Sequence, residues 1–422
     1  GYMHAYANPD HERRTRDLLM ARLPEISFSI SSEVCPEIRE YERFTTTSAN
    51  AYVRPLMASY LARLRDRLGT MGVICPVLLM TSGGGLTTLE NAMRFPIRLV
   101  ESGPAGGAIL ATRVAEEMEL EKVISFDMGG TTAKICLISD YRPQSAREFE
   151  VDRASRFTKG SGLPLRIPVI EMVEIGAGGG SIARLDSLGR ITIGPDSAGA
   201  NPGPAAYGQG GVRPTITDAD VVLGKIDPAS FAGGNVPLFP KKSEAAIMRD
   251  VGTPLGVSDV LTAAYGITEM VDETMSNASR VHSVEQGKVA NEYSLIAFGG
   301  AAPLHAGRLA EKLGIDRIVV PTDAGVGSAV GFLKAPIAYE VVRSRNMRLA
   351  AFDPVIVNSL MQEMRVEALA VIRAAEPKAD VVERRVAFMR YVGQGHEIMI
   401  ELPNGDFSDN DQDTVQVAFD IE

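Results

Sequence analysis

The chain has 422 residues, of which 45% are hydrophobic and 23% are charged, and its formal net charge at pH 7 is −10. That length allows two or three domains with substantial cores. The acidic balance argues against nucleic acid or an anionic membrane surface as a partner. Cys35, Cys75 and Cys136 are widely spaced, which indicates a reducing compartment without a disulfide framework. No apolar run approaches the roughly 18 residues that span a bilayer, so we expect no membrane contact and a cytoplasmic location.

The amino-terminal part predicts mainly helices. Residues 1–6 resemble the end of a strand, and Asn8, Pro9 and Asp10 form a turn that starts a helix over 11–23. A strand at 27–31, a long helix over 41–68 and a short buried strand at 77–80 follow. Ser102 then favours a helix to about residue 118, with Ser102 itself as the N-cap.

A hairpin with an unusual tip comes next. Two short apolar runs, 123–125 and 135–138, flank the tip Phe-Asp-Met-Gly-Gly-Thr-Thr at 126–132. The two glycines let backbone N–H groups approach an anion, and the two threonine hydroxyls add donors. The carboxylate of Asp127 is suited to hold Mg²⁺ or to align a water. A Gly-Gly hairpin without a ligand accounts for the same residues, so the tip alone leaves both interpretations open.

The remaining chain alternates between strands and helices. Residues 157–234 are rich in Gly and Pro and predict a β-rich insertion or a set of ordered loops, with strands at 167–173 and 190–193. An amphipathic helix over 259–279 and a buried strand at 295–298 follow, and then a helix at 303–313, a strand at 317–320 and a helix at 325–333. After Pro336 we expect a strand, a helix over 356–374, strands at 381–391 and 397–402, and a final strand at 414–420. This pattern predicts an α/β fold with mixed sheets.

Further candidate site residues lie in two other glycine-rich segments. The strand that ends at Phe298 leads through Gly-Gly-Ala into a helix, which predicts backbone N–H groups at the carboxyl edge of a sheet; a tight turn is the alternative. Three consecutive glycines at 178–180 favour a functional loop over a plain turn. Glu171 and Glu174 just before them are candidates for acid, base or metal ligand, although Glu171 is equally well a solvated charge. His305 lies one turn into the later helix and is either a ligand or a packed, capped histidine.

Some polar residues favour structural roles. Thr215 is followed by Asp218 and Asp220 in a helix-cap pattern, so we expect these aspartates to cap a helix instead of catalysing a reaction. A Ser/His/Asp triad is not supported, because Ser82 lacks the Gly-x-Ser-x-Gly elbow.

Taken together, the motifs resemble known ATP-dependent proteins. The order of the Asp-x-Gly-Gly-Thr-Thr loop and the later strand-Gly-Gly-Ala-helix resembles that of the actin-like ATPase superfamily. In more detail the chain closely resembles the hydantoinase A/5-oxoprolinase family, which is related to acetone and acetophenone carboxylase subunits. The stretches that carry this resemblance are 8–12, 39–43, 101–107, the Asp127 loop, 176–181, 194–207, 215–220, 298–305 and 391–397.

The resemblance implies a domain organisation. We expect an α/β, actin-like ATPase (ribonuclease H-like) domain over 121–335 with a Gly/Pro-rich, β-containing insertion at about 150–240. Residues 1–120 are expected to be the remnant of a first half with connecting helices, and 336–422 a C-terminal α+β segment. The family's amino-terminal domain begins with another Asp-x-Gly-Gly-Thr loop, which this chain does not contain. We therefore expect half of an ATP cleft, with the Asp127 loop as its second phosphate loop.

The resemblance also implies a function. It indicates a subunit of an ATP-dependent hydrolase that opens a hydantoin, 5-oxoproline or related cyclic amide by phosphorylating a carbonyl oxygen. Alternatives are a subunit of an ATP-dependent ketone carboxylase and a non-catalytic nucleotide-binding or scaffold subunit. The implied cofactors are ATP and Mg²⁺ or another divalent metal. The implied partner is a hydantoinase B-type subunit in an oligomer, with a small cyclic amide or ketone as substrate.

The implied site residues fall into three groups. Catalytic roles go to Asp127 and Glu174, and metal ligation goes to Asp127, Glu171 and His305. Nucleotide contacts go to Gly129, Gly130, Thr131, Thr132, Gly178, Gly179, Gly180, Gly299, Gly300 and Ala301. The chain departs from the family pattern in two places: Lys134 stands where the family often has Asp, and Glu171 and Val173 replace Asp and His. We expect an altered metal site, or one rebuilt with Glu171 and Glu174.

Overall fold

The computed structural model describes residues 1–154 and 160–421, and these form helices and short strands in alternation. The helices are α1 (Asp10–Arg22), α2 (Ser31–Val34), α3 (Glu40–Thr70), α4 (Leu89–Arg94), α5 (Ser102–Glu117), α6 (Ile216–Val222), α7 (Pro240–Ile247), α8 (Val260–Glu285), α9 (Ala302–Leu313), α10 (Gly327–Lys334), α11 (Pro354–Ala375) and α12 (Asp411–Ile421). None of the helices in the described ranges is long and apolar enough to cross a membrane.

The strands are mostly short. They are β1 (Leu78–Met80), β2 (Leu86–Thr88), β3 (Lys122–Met128), β4 (Ala133–Ser139), β5 (Arg142–Pro143), β6 (Ser145–Ala146), β7 (Phe149–Val151), β8 (Leu163–Leu165), β9 (Val169–Ile170), β10 (Val173–Ile175), β11 (Ser181–Leu185), β12 (Ile191–Ser197), β13 (Ser294–Phe298), β14 (Ile318–Val319), β15 (Arg385–Met389) and β16 (Ile398–Leu402).

The chain divides into two compact units. Unit 1 comprises Gly1–Val100, Arg147–Pro168 and Pro336–Glu422, and unit 2 comprises Glu101–Ala146 and Val169–Ala335. Residue 157, where the Gly/Pro-rich segment is predicted to begin, lies outside the described residues. The division into 1–120, 121–335 and 336–422 stays a prediction.

Unit 2 contains a mixed sheet with the strand order β10-β4-β3-β13-β14, and β5 pairs with β4. β3 and β4 form the predicted antiparallel hairpin, while β13 runs parallel to β3 and to β14. Because β3 and β13 are parallel, the tip of the hairpin and the turn after Phe298 meet at the same carboxyl edge. The mixed α/β class predicted from the alternation is confirmed.

The two faces of this sheet are covered by different helices. Alternate side chains, including Ile124 and Phe126, pack with Val271 of α8 and Leu309 of α9 in the main apolar core. The intervening positions face α5 and α10, which is where the side chain of Asp127 lies. Because successive side chains of a strand point to opposite faces, one face of the sheet is apolar and the other carries Asp127.

Helices α5 and α10 cross at very close range on that second face. A Cβ added at Gly331 would lie 1.8 Å from the carbonyl oxygen of Gly106, and one added at Gly106 would lie 2.6 Å from that of Ser328. Only residues without side chains allow this approach. The crossing places Ser328 next to the end of β3.

Unit 1 is built from smaller pieces. The β1–β2 hairpin packs with α3 and α4 around Leu61 and Leu89. The β15–β16 hairpin packs with α12 in a second cluster that contains Ile400, Val415 and Phe419. The helices predicted at 11–23, 41–68 and 356–374 are confirmed as α1, α3 and α11.

Three predictions near the amino terminus are wrong. Residues 1–6 form no strand, and turns occupy 3–7, because the backbone of Tyr2 is bound by side chains: its carbonyl oxygen accepts a hydrogen bond from the buried Arg43, and the N–H of Tyr2 donates to Glu12. The strand predicted at 27–31 is absent from the described structure; Glu12 accepts from Ser31 Oγ and Ser32 N, and this starts the helical turn α2. Ser102 does not cap α5, because Glu101 occupies the cap position with φ 58° and Ser102 is already helical.

Two predictions near the carboxyl terminus are also wrong. Residues 337–348, directly after Pro336, form no strand, and Ile337 makes a single bridge to Leu86. The segment 414–420 is helical, because Val415 and Phe419 are four residues apart and both enter the unit 1 core. An alternating apolar pattern this short fits one helical face as well as a strand.

The close crossing of α5 and α10 predicts a large effect of a single methyl group. Gly331→Ala should lower the free energy of unfolding by about 1–3 kcal/mol, because the new Cβ overlaps backbone that cannot move freely. Gly307→Ala in α9 is the matched control: a Cβ there meets no atom within 4 Å, and the change should stabilise by about 0.5–1 kcal/mol. Urea unfolding of both variants measures the difference, and equal stabilities would contradict the close contact.

Candidate functional site

Three loops of unit 2 are joined backbone to backbone at the carboxyl edge of the sheet. The carbonyl oxygens of Gly129 and Gly130 accept hydrogen bonds from the N–H groups of Gly179 and Gly180, at 3.0 and 2.7 Å. The carbonyl oxygen of Met128 accepts from Ala301 N at 2.9 Å. The structure therefore brings together the hairpin tip, the triple-glycine loop and the turn after β13, which the sequence presents as three separate motifs.

Two glycines in these loops are required by the contact itself. Gly299 has φ +94°, and a Cβ there would lie 2.5 Å from Asp127 Oδ1 and 2.6 Å from the carbonyl oxygen of Met128. A Cβ at Gly178 would lie 2.5 Å from Thr131 N. Any side chain at either position would push the loops apart.

Other glycines of the site are not required by the fold. A Cβ at Gly129, Gly130 or Gly300 would meet no atom within 4 Å, and none of the three has a positive φ. Within the described part of the chain, the N–H groups of Gly130, Thr131 and Thr132 make no hydrogen bond. The tip thus offers open space and unpaired donors, the arrangement that an anion such as phosphate requires.

Asp127 lies beside this tip at the end of β3. It is half-buried, and its Oδ2 accepts a hydrogen bond from Ser328 Oγ at 3.0 Å. Burial raises the pKa of Asp127, while the bond from Ser328 and the charge of Lys134 partly oppose that rise. The carboxylate is therefore held by Ser328 of α10, at the end of the strand that leads into the tip.

A row of charged side chains crosses the sheet at this level. Lys134 is the cross-strand partner of Asp127 on one side and of Glu174 on the other. Its ammonium lies 3.2 Å from Glu174 and 3.3 Å from Glu101, which precedes α5. The structure therefore places the predicted catalytic residue Glu174 in an ion pair with a lysine two positions from Thr132.

The three predicted metal ligands lie in different surroundings. Asp127 contacts Ser328, whereas Glu171 accepts a hydrogen bond from Gln286 at 3.0 Å. His305 is fully buried between two aspartates. Within residues 1–154 and 160–421, no three His, Cys, Asp or Glu side chains form a group that could hold a metal by themselves. The single carboxylate of Asp127 next to phosphate-type donors still suits Mg²⁺, which usually takes one or two carboxylates together with phosphate oxygens and waters.

His305 is the centre of a buried charged cluster. Its Nδ1 lies 2.8 Å from Asp272 of α8 and its Nε2 lies 3.2 Å from Asp220 of α6, which also pairs with Lys225. Burial opposes the charged imidazolium, but the hydrogen bonds and charges of both aspartates outweigh it and raise the pKa of His305 to about 9. The imidazolium of His305 in α9 therefore links α9 to α6 and to α8.

The predicted helix cap is confirmed for Asp218 and wrong for Asp220. Thr215 and Asp218 form a capping box, and the buried Asp218 also accepts from the N–H groups of Ala205 and Ala206. Asp220 lies in the second turn of α6 and pairs with His305 instead. The capping-box spacing identifies the first aspartate, but the partner of the second comes from 85 residues away.

Two residues of the site, Ser328 and Glu101, are not among the site residues predicted from the sequence. Both lie within or next to helices that were predicted, and Glu101 opens the stretch 101–107 that carries the family resemblance, but neither was assigned a role in the site. The glycines around Ser328, at 327 and 331, are the one sequence signal of a close approach. For Glu101, the sequence offers only the glycine-rich start of the helix that follows it. That pattern predicts the helix, but it does not indicate which residue the Glu101 carboxylate contacts.

The fold and site define a mixed α/β protein with three glycine loops at one sheet edge, and comparison with known proteins assigns the family. The sequence profile of the Hydantoinase/oxoprolinase family matches residues 43–341. The chain is 35% identical over 399 residues to the caprolactamase subunit alpha of Pseudomonas jessenii, covering 94% of this chain and 56% of that one. It is 30% identical to 5-oxoprolinase of Saccharomyces cerevisiae, covering 94% of this chain and 31% of that protein.

Two solved structures are similar to this one. The crystal structure of ATP-dependent caprolactamase from Pseudomonas jessenii matches with a TM-score of 0.79 and 33% identity, covering 98% of this chain and 59% of that chain. The nucleotide-free structure of acetone carboxylase matches with a TM-score of 0.78 and 28% identity, covering 99% and 59%. The chain belongs to the Hydantoinase/oxoprolinase family, and it spans a little over half the length of these two relatives.

The raised pKa of His305 predicts a stability that falls as pH rises. The folded state keeps the imidazolium proton up to about pH 9, whereas the unfolded chain loses it near 6.5. The stabilisation is therefore complete below pH 6.5 and is lost between 6.5 and 9, at up to about 1.4 kcal/mol per pH unit. Urea unfolding at pH 7 and pH 9 measures this slope.

Two variants isolate the contribution of His305. In His305→Gln the slope between pH 7 and 9 should flatten, and stability at pH 7 should fall because the buried Asp272 loses its cation and Asp220 keeps only Lys225. His4→Gln is the control, since the His4 side chain is 68% exposed. A slope in His305→Gln as steep as that of the unaltered protein would exclude the imidazolium as its source.

Proposed function

We propose that this chain is the nucleotide-binding part of an ATP-dependent enzyme that opens a cyclic amide, such as a hydantoin, 5-oxoproline or a related lactam. The observation that carries the proposal is the hairpin tip, where the N–H groups of Gly130, Thr131 and Thr132 are unpaired within the described residues and follow Asp127 directly in the chain. Relatives named caprolactamase and 5-oxoprolinase support a cyclic amide as the substrate class. In this proposal the sheet and its glycine loops correspond to an actin-like ATPase domain.

The residues of the site have separate roles in this proposal. The N–H groups of Gly130, Thr131 and Thr132 bind a phosphate, and the turn at Gly299, Gly300 and Ala301 faces the adenosine. Asp127 holds Mg²⁺ or orients a water. The bound metal ion would neutralise negative charge on the phosphoryl group.

The transferred phosphate activates the substrate. An amide oxygen that accepts a phosphoryl group becomes a better leaving group, so the carbon is more easily attacked by water. Fixed N–H donors at the tip stabilise the charge that develops on the phosphoryl oxygens during transfer. The triple-glycine loop at Gly178, Gly179 and Gly180 keeps the tip in the required shape through its two backbone bonds.

Carboxylation of a ketone is the second candidate reaction. It is favoured by the similarity in structure to acetone carboxylase, at a TM-score of 0.78 over 99% of the chain. We propose that a carbonyl oxygen accepts the phosphoryl group in either reaction, so one nucleotide site would serve both. The relatives named as alpha or beta subunits support a partner chain, which we propose is a hydantoinase B-type subunit.

Substrate-dependent ATP hydrolysis tests the proposal. The complete protein together with its partner subunit should hydrolyse ATP faster when a hydantoin, 5-oxoproline or caprolactam is added. Acetone together with bicarbonate tests for carboxylation. If only this pair stimulates ATP hydrolysis, the enzyme is a ketone carboxylase and does not open cyclic amides. If no lactam, hydantoin or ketone stimulates hydrolysis, the enzymatic proposal is wrong.

Replacement of Asp127 tests whether the chemistry depends on this chain. Asp127→Ala should lower kcat for ATP hydrolysis by about 10²–10⁴, the range for a positioned acid–base or water-orienting group. Glu292→Gln is the control, because it also removes one carboxylate from unit 2 but from an exposed ion pair. Unchanged turnover in an intact Asp127→Ala assembly would mean that the chain is a nucleotide-binding or scaffold subunit.

A further inference from the structure

One cation lies among three carboxylates beside the open tip. Asp127, Glu101 and Glu174 all face Lys134, either as cross-strand neighbours or in ion pairs of 3.2–3.3 Å. A loop that binds a phosphate next to three negative charges needs positive charge of its own. Of the side chains in this row, only that of Lys134 supplies it.

The position of Lys134 allows it to reach the tip. It is the second residue of β4, and its side chain projects on the same face of the sheet as that of Asp127. Directly opposite residues of an antiparallel pair have Cβ atoms about 4.5–5.5 Å apart. The ammonium of a lysine therefore covers the distance from β4 to a ligand held between Asp127 and the N–H groups of the tip.

The present partners of Lys134 are replaceable. The lysine is 17% exposed, whereas the Glu101 and Glu174 side chains are 30% and 46% exposed. Ion pairs with carboxylates that face water contribute little, because solvent screens the attraction. A phosphate that carries two charges and offers several acceptor oxygens makes a stronger, charge-assisted contact.

We propose that Lys134 is a phosphate-binding residue of this site, which exchanges at least one of its glutamate partners for an oxygen of the phosphate at the tip. Glu101 and Glu174 hold the ammonium near the tip while the site is empty. The inference rests on the proposed function, because it assigns a residue to the same nucleotide site. It adds a cation that the chain itself provides, independent of any bound metal.

Steady-state kinetics of the complete protein with its partner subunit test this assignment. Lys134→Met should raise KM for ATP by about ten- to a hundredfold, the loss expected for one charge-assisted hydrogen bond. Lys134→Arg should restore most of the affinity, because it returns the charge. Lys122→Met is the matched control: Lys122 lies at the other end of the same hairpin in an exposed ion pair with Glu292, and its loss should leave KM unchanged.

Glu174→Gln separates binding from a structural role. This variant removes one of the two ion pairs that hold Lys134, so it should lower KM for ATP, because the ammonium then exchanges its partner for phosphate more readily. If Lys134 merely ties β4 to β10 and α5, then Lys134→Met and Glu174→Gln will both lower the midpoint of urea unfolding and neither will shift KM. That result would overturn the inference.

Pyrophosphate binding by calorimetry distinguishes the failure of this inference from that of the proposed function. An enzyme that turns over ATP but is unaffected by Lys134→Met refutes the role of Lys134 alone. If the protein shows no ATP turnover but binds pyrophosphate, and Lys134→Met weakens that binding, the role of Lys134 in the anion site is supported and the enzymatic proposal is wrong. Absence of both turnover and pyrophosphate binding overturns the two together.

Discussion

The site depends on one constraint, the backbone contact between three loops at the carboxyl edge of the unit 2 sheet. The carbonyl oxygens of Met128, Gly129 and Gly130 are all occupied by N–H groups of the neighbouring loops. The N–H groups of Gly130, Thr131 and Thr132 remain unpaired in the described part of the chain, so the acceptors of the tip bind protein while these three donors stay available. Side chains at Gly178 or Gly299 would separate the loops and remove this polarity.

The side chains around the tip are positioned by packing farther back. The close crossing of α5 and α10 sets Ser328 against Asp127, and the start of α5 carries Glu101 to Lys134. On the other side of the sheet, α9 is held to α6 and α8 by the buried His305 and its aspartates. Removing one partner from such a buried cluster leaves an uncompensated charge, which costs much more than a lost surface ion pair. Both faces of the sheet therefore limit the movement of the loops.

Membership of the Hydantoinase/oxoprolinase family gives this geometry a chemical context. The similar structures are those of an ATP-dependent caprolactamase and of acetone carboxylase, and each match extends over almost the whole of this chain. A fold shared by two reactions is expected to supply their common requirement, which we propose is phosphate transfer from ATP. In this proposal, substrate specificity is determined by the groups that contact the carbonyl compound.

The sequence by itself determined the local elements, including the hairpin that carries the tip. Composition and spacing predicted the hairpin around Asp127, the capping box of Thr215 and Asp218 and the long helix α8, because turn residues, caps and apolar periodicity act over only a few positions. Tertiary structure decided which motifs meet. The partners of Lys134, Asp127 and His305 come from elements up to 201 residues away, a distance over which spacing carries no signal. The same reason explains α12: whether 414–420 is a strand or a helix depends on the core into which Val415 and Phe419 pack.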